Sequence, residues 1–253
     1  MELELVPLLQ IQRDLHGMPR GMERFREYLR VMLNEQGTDV RLPPLVMMNP
    51  MGKDHVTTLL DALLALDAEG AARRAVDEAA TRLRDLTGTY KIGLVIADDA
   101  MGGWTNRYAS EFGLLSVNSA TLKRKWLSGV LWSSEPAAAL TARQAVLRAV
   151  YRAAHFQQYG PARTLRELMA QEGYAMAMAE CTQPALEPDD LAYTSEVITP
   201  HLEARDQPTL MACLFGDAAA RVLGYPQQGL SERAGLALAL HQVRCGQVLQ
   251  AIC

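Results

Sequence analysis

Apolar residues recur along most of this chain at intervals of three and four, the period of a helix with one buried face. Residues 1–40 fit a helix, a break and a second helix. Leu5, Leu8, Leu9 and Ile11 precede an interruption at Gly17-Met18-Pro19, and Met22, Phe25, Tyr28, Leu29, Met32 and Leu33 then mark a stripe that Gly37 ends. Three prolines between Arg41 and Gly52 rule out a long helix there, and Leu45–Met48 is expected to be a short strand or buried extended segment. Lys53 opens a long helical region. Its face is leucine-rich at first and becomes alanine after Gly70, which predicts close packing against another helix, and Thr87-Gly88 closes it.

The pattern changes at Tyr90–Ala97. Ile92, Leu94, Val95 and Ile96 form a nearly continuous, mostly β-branched run, as expected of a strand buried on both faces. Leu127–Ser134 is a second strand candidate, halted by Glu135-Pro136, and Leu114–Val117 a weak third. From Leu140 the helical period returns to the end, with Thr141 and Ser231 as expected N-caps. Ala234–Leu240 is apolar nearly all round, so that helix should be central to the second half.

The pattern predicts a helix-rich α+β fold. A small central sheet from residues 44–134 is packed by helices, and the C-terminal half is all helical. The favoured organisation is one domain over 1–253, with a possible sub-boundary near 136 between an α+β part (1–135) and a helical part (136–253).

Composition changes this picture little. With 253 residues, 49% apolar and 21% charged, the chain can bury a substantial core without staples. A net charge of −4 offers no electrostatic reason to expect nucleic acid. Every stretch free of Asp, Glu, Lys and Arg is well short of the ~20 residues a membrane span needs. The opening MELELVPLLQ is acidic where a signal peptide would be basic, so a soluble cytoplasmic protein is the expectation. Cys181, Cys213, Cys245 and Cys253 form no C-x-x-C and read as reduced thiols. No motif assigns a cofactor, which is left unknown, or a metal.

Candidate chemistry concentrates where the best strand ends, in Asp98-Asp99-Ala100-Met101-Gly102-Gly103-Trp104-Thr105-Asn106-Arg107. Ligands of sheet proteins commonly bind beyond strand ends. Asp98 and Asp99 are candidate acid–base or metal-binding groups, the Gly102 and Gly103 amides and Arg107 candidate anion binders, Trp104 a pocket wall and Asn106 a further contact. Each also has an ordinary structural reading: Asp and Gly serve turns, and Trp104 can be core. A second candidate is Asn49-Pro50-Met51-Gly52-Lys53-Asp54-His55. It is not a Walker A, because Met47 and Asp54 stand where that motif wants Gly and Ser or Thr. Lys53 at a helix start can still meet an anion, and His55 can meet Asp98 or Asp99.

Other signatures are missing. No H-E-x-x-H, G-x-S-x-G or strand-linked G-x-G-x-x-G occurs, although Ser133-Ser134-Glu135 follows a strand. The expected function is an enzyme-like domain that binds a small polar or anionic molecule at loop 98–107. The alternative is a non-catalytic helical module that binds a protein partner or self-associates into a homo-oligomer.

Overall fold

The computed structural model of the chain describes residues 1–116 and 122–246. In chain order the elements are β1 (Glu2–Val6), α1 (Leu9–Gly17), α2 (Met22–Met32), a 3₁₀ turn (Pro43–Met47), α3 (Asp54–Ala65), α4 (Ala68–Arg82), β2 (Thr89–Ala97), α5 (Arg107–Leu115), β3 (Trp126–Trp132), α6 (Ala139–Tyr159), α7 (Leu165–Met178), α8 (Pro188–Ile198), α9 (Gln207–Leu223) and α10 (Ala234–Arg244). They form two compact units. The first is Met1–Arg107 with Ser119–Val150, the second Tyr108–Asn118 with Tyr151–Cys253. Among the described residues no helix is long and apolar enough to cross a membrane.

The helix-rich α+β class holds. The first unit is built on a three-stranded parallel sheet in the order β1-β2-β3. β2 is central, and Ile92 to Ala97 are buried without interruption, as its continuous apolar run predicts. β3 lies where the second strand run predicts it. One strand comes from outside residues 44–134: Glu2–Val6 pairs with Thr89–Gly93 instead of starting a helix. Its alternation of Glu and Leu is the period-two pattern of a half-exposed strand, and Leu5 alone of the five is fully buried.

β1 stops at Val6, opposite Gly93, while β2 runs on to Ala97. The edge of β2 that β1 leaves unpaired is completed by a side chain. The Gln12 amide donates to Leu94 O (2.9 Å) and to Leu8 O (3.0 Å), and its Oε1 accepts from Ile96 N (2.9 Å). Gln12 thus takes the place of the missing strand and satisfies backbone groups that would otherwise be buried unpaired. A Cβ at Gly93 would come within 2.4 Å of Leu8 Cδ1, so glycine in mid-strand leaves room for α1 to enter. Glu69 caps α1 from a distance, accepting from Leu8 N (2.6 Å) and Leu9 N (2.9 Å).

Other local expectations shift. Leu45 lies in the 3₁₀ turn, because Pro43 and Pro44 fix φ at its start. Only Met48 is extended, in an isolated antiparallel bridge with Ala97. The long region after Lys53 is two helices, broken where Asp67 adopts φ +48°. Of the alanine face after Gly70, Ala72, Ala75 and Ala79 are buried and Ala71 and Ala80 half-buried, and α4 packs on β1 as well as on α3. Leu114 and Leu115 are helical, in α5; Val117 lies outside the described residues.

In the second unit Ala234–Leu240 is wholly buried, and α10 packs against α7, α8 and α9. The α7–α10 approach is close: a Cβ at Gly173 would lie 2.4 Å from Ala239 O. Thr164 and Glu167 form a capping box on α7. The other two expected caps differ, since α6 already starts at Ala139, and the residue preceding α10 is Arg233, not Ser231, and makes no side-chain cap bond. Bidentate pairs join Arg152 to Glu172 (2.6 Å each) and Arg233 to Glu111 (2.6 and 2.8 Å). Cys181, Cys213 and Cys245 are free thiols, and Cys253 lies outside the described residues.

Replacing Gln12 by Leu should leave Leu94 O and Ile96 N without partners. The expected loss is about 2–6 kcal/mol of unfolding free energy, at ~1–3 kcal/mol for each of the two buried unpaired groups. Urea unfolding checks this, and a loss below about 0.5 kcal/mol, the scale of an ordinary surface change, would remove the role given to Gln12.

Candidate functional site

β2 and β3 run parallel and in register, with Ala97 opposite Trp132, so both end at the same level. The residues that follow them, Asp98 and Ser133, are therefore neighbours. The Met48–Ala97 bridge brings Asn49 to the same place from the other side of β2. α3 begins two residues after Gly52 and supplies His55 in its first turn. Four segments thus converge at the carboxyl end of the central strand, where ligands of open parallel sheets commonly bind.

Asp98 is at the centre of this convergence and only 2% exposed. His55 Nε2 lies 2.7 Å from its Oδ1, and Asn49 Nδ2 donates to its Oδ2 at 2.7 Å. The Ser133 hydroxyl donates to Oδ1 at 3.0 Å. Ser133 is itself fixed by the N–H groups of Asp99 and Ala100, both 3.1 Å from its Oγ. Its hydroxyl proton is directed at a carboxylate and not at a histidine.

Asp99 is brought to the same serines. Its Oδ1 accepts from Ser134 N (2.9 Å) and lies 3.2 Å from Ser133 Oγ, and its Oδ2 accepts from Ser134 Oγ (2.7 Å). Arg107 Nη1 stands 3.7 Å from Asp99 Oδ2 and donates to Ser134 Oγ at 3.1 Å. The same guanidinium pairs with Glu135 and lies over the Trp132 ring, 5.1 Å from its centroid. Arg107 is thus engaged by two carboxylates of its own chain.

Between the two aspartates and Arg107 the loop makes a tight turn. Met101 (φ +50°) and Gly102 (φ +80°) occupy its centre, and Gly103 N donates to Ala100 O at 2.8 Å. Positive φ at both central positions is the signature of a type I′ turn. Gly103 is required for space, since a Cβ would sit 2.2 Å from Asp98 O. Lys53 Nζ donates to Met101 O at 2.6 Å and so stands over the turn. Trp104 is 59% exposed and Asn106 is also exposed.

Asn49 stands in the second candidate segment and Ser133 and Ser134 follow the second strand, but no local signal marks them as partners of the aspartates, and His16 and Arg24, which complete the site, carry none at all. His16, near the end of α1, is 4% exposed. Arg24 donates to the carbonyls of His16 (3.1 Å), Met18 (2.8 Å), Pro50 (3.3 Å) and Gly52 (3.4 Å), and its Nη1 lies 3.4 Å from His16 Nδ1. A guanidinium only donates, so Nδ1 accepts and the ring proton of the neutral imidazole resides on Nε2. Burial first, and then the charge of Arg24, lower the His16 pKa to about 4. Two ring nitrogens at this site, His16 Nε2 and His55 Nδ1, are buried with no hydrogen-bond partner among the described residues.

Among the described residues no three His, Cys, Asp or Glu side chains group as metal ligands. In the second unit, His155 is buried between the rings of Tyr159 (4.7 Å) and Tyr174 (5.8 Å), and burial lowers its pKa. Compared with known proteins, the chain matches no family model, no curated protein and no solved structure.

His16 binds its proton more weakly when folded (pKa about 4) than at its ordinary value of 6.5. The unfolded chain therefore takes up the extra proton between these values, and stability falls as pH drops from 6.5 to 4. At ~1.4 kcal/mol per unit the full effect is about 3 kcal/mol. Urea midpoints across this range should show that component in the wild type and not in His16→Gln. An unchanged slope in the variant would show that His16 is not held neutral by the fold.

Proposed function

We propose that the first unit is an enzyme-like domain that performs acid–base chemistry on a small polar or anionic molecule. The ligand binds beyond the ends of β2 and β3, beside loop 98–107. The observation that carries this reading is the 2.7 Å contact of His55 Nε2 with the buried Asp98 carboxylate, together with the unpartnered His55 Nδ1. The carboxylate holds the proton of the neutral imidazole on Nε2, so Nδ1 presents its lone pair. An imidazole oriented in this way by a carboxylate is a suitable general base. Asp98 is the positioning residue and His55 the group that moves a proton.

The remaining residues divide by their contacts. Lys53 and the exposed Gly102 backbone offer a positive, donor-bearing rim for an anion. Asp99, Arg107, Ser134 and Glu135 bind one another and hold the loop in shape. Ser133 shares its proton with carboxylates, which argues for proton transfer and not for a serine nucleophile activated by histidine. Exposed Trp104 and Met101, the latter 70% exposed, favour the alternative of self-association through this loop.

A panel of small carboxylates and phosphates, screened by thermal shift and titrated by NMR, tests the reading. At least one should bind, and His55→Gln or Lys53→Ala should weaken it about tenfold, or ~1.4 kcal/mol. No binding, or binding indifferent to both substitutions, would refute the proposal. A concentration-dependent dimer by light scattering that Trp104→Ser abolishes would put self-association in its place.

A further inference from the structure

His55 presents a lone pair because Asp98 occupies its other nitrogen. His16 presents the opposite group, an N–H, because Arg24 occupies its Nδ1. Both groups are buried, and neither has a partner among the described residues. A buried polar atom left unpaired costs free energy comparable to a lost hydrogen bond, so two of opposite polarity in one region invite a ligand that satisfies both.

Three observations place the two residues near one another. α1 packs on α3, the helices that carry the two histidines. The charges of Asp98 and His55 both bear on His16. The third is Gly52, which is buried and has no positive φ, so backbone freedom does not explain it. Space does: a Cβ there would come within 2.9 Å of His16 Cε1 and 3.0 Å of Val56. The Cε1 edge of the His16 ring, between its two nitrogens, thus faces the turn that opens α3, three residues ahead of His55.

We infer that His16 is a second functional residue of this site, a neutral hydrogen-bond donor that holds a substrate carbonyl oxygen while His55 removes a proton from the adjacent carbon. The inference rests on the acid–base reading above and narrows its substrate to small carbonyl compounds with an acidic C–H. His55 Nδ1 takes the proton, and the C–H electron pair becomes the second bond between the two carbons. The carbonyl π pair moves to oxygen, where the His16 Nε2–H stabilises the charge. Return of the proton to the former carbonyl carbon, with the hydroxyl proton of a hydroxycarbonyl passing from the other oxygen to the charged one, gives the isomer and restores both imidazoles. No oxidant or further reactant is consumed. A neutral imidazole suits the electrophilic role, because it donates without first giving up a charge.

Acetohydroxamate, a mimic of the enediolate, is the probe. In protein carrying ¹⁵N-labelled histidine, long-range proton–nitrogen spectra at pH 7 should show His16 as the Nε2–H tautomer. Titration should shift His16 Nε2 and His55 Nδ1 along one saturable curve. His16→Gln, which keeps an amide N–H, should bind within a few-fold of the wild type, and His16→Phe at least tenfold more weakly. Should the probe move His55 and leave His16 unmoved, His16 is only structural and this inference fails while the acid–base reading survives. If it moves neither, this inference is overturned, and the acid–base reading stands or falls with the carboxylate and phosphate panel. The wild-type titration decides between these outcomes even if a variant does not fold.

Discussion

A carboxylate placed at the buried tip of the central strand demands donors, and the rest of the site is the answer to that demand. Taking a charge out of water costs several kcal/mol unless hydrogen bonds replace the lost hydration. Asp98 obtains its donors from three separate places: the turn before α3, the first turn of α3 and the turn after β3. Each bond fixes a loop that the sheet alone leaves free. The Asp98 backbone adds another, because its carbonyl accepts from Thr105 N at 3.1 Å and presses against Gly103.

The same device recurs through the first unit. Where backbone partners run out, a side chain from a distant segment supplies them. Gln12 extends the edge of β2 beyond β1, Glu69 receives the first N–H groups of α1, and Arg24 gathers the carbonyls of two loops. These polar groups leave a small sheet well satisfied. They also impose polarity on the two histidines, since each ring has one nitrogen committed to a partner that fixes its tautomer. A lone pair and an N–H, both preset, are what the proposed acid–base chemistry requires.

Much of this arrangement is legible locally. β2 announces itself through its β-branched run, and the loop after it through paired aspartates and glycines. The Asp98–His55 meeting is foreseeable as a pairing of two candidate loops. β1 is not, because Leu5 also fits the three-and-four spacing of the leucines that follow, and only five residues carry the alternation. The break at Asp67 is hidden because the helical period continues through it. The roles of Asn49, Ser133 and His16 are hidden for another reason: their partners lie far away along the chain, and nothing next to them distinguishes a turn or helix residue from one that joins the site. Trp104 shows the converse, a residue with a strong local signal that the fold leaves exposed.

The most direct measurement is a double-mutant cycle between Asp98 and His55, using Asp98→Asn and His55→Gln and unfolding free energies from urea. If the buried carboxylate organises the loops through this bond, the two changes should be strongly non-additive, with a coupling of about 1–3 kcal/mol. Additivity within about 0.5 kcal/mol, the level found for independent sites, would contradict the account.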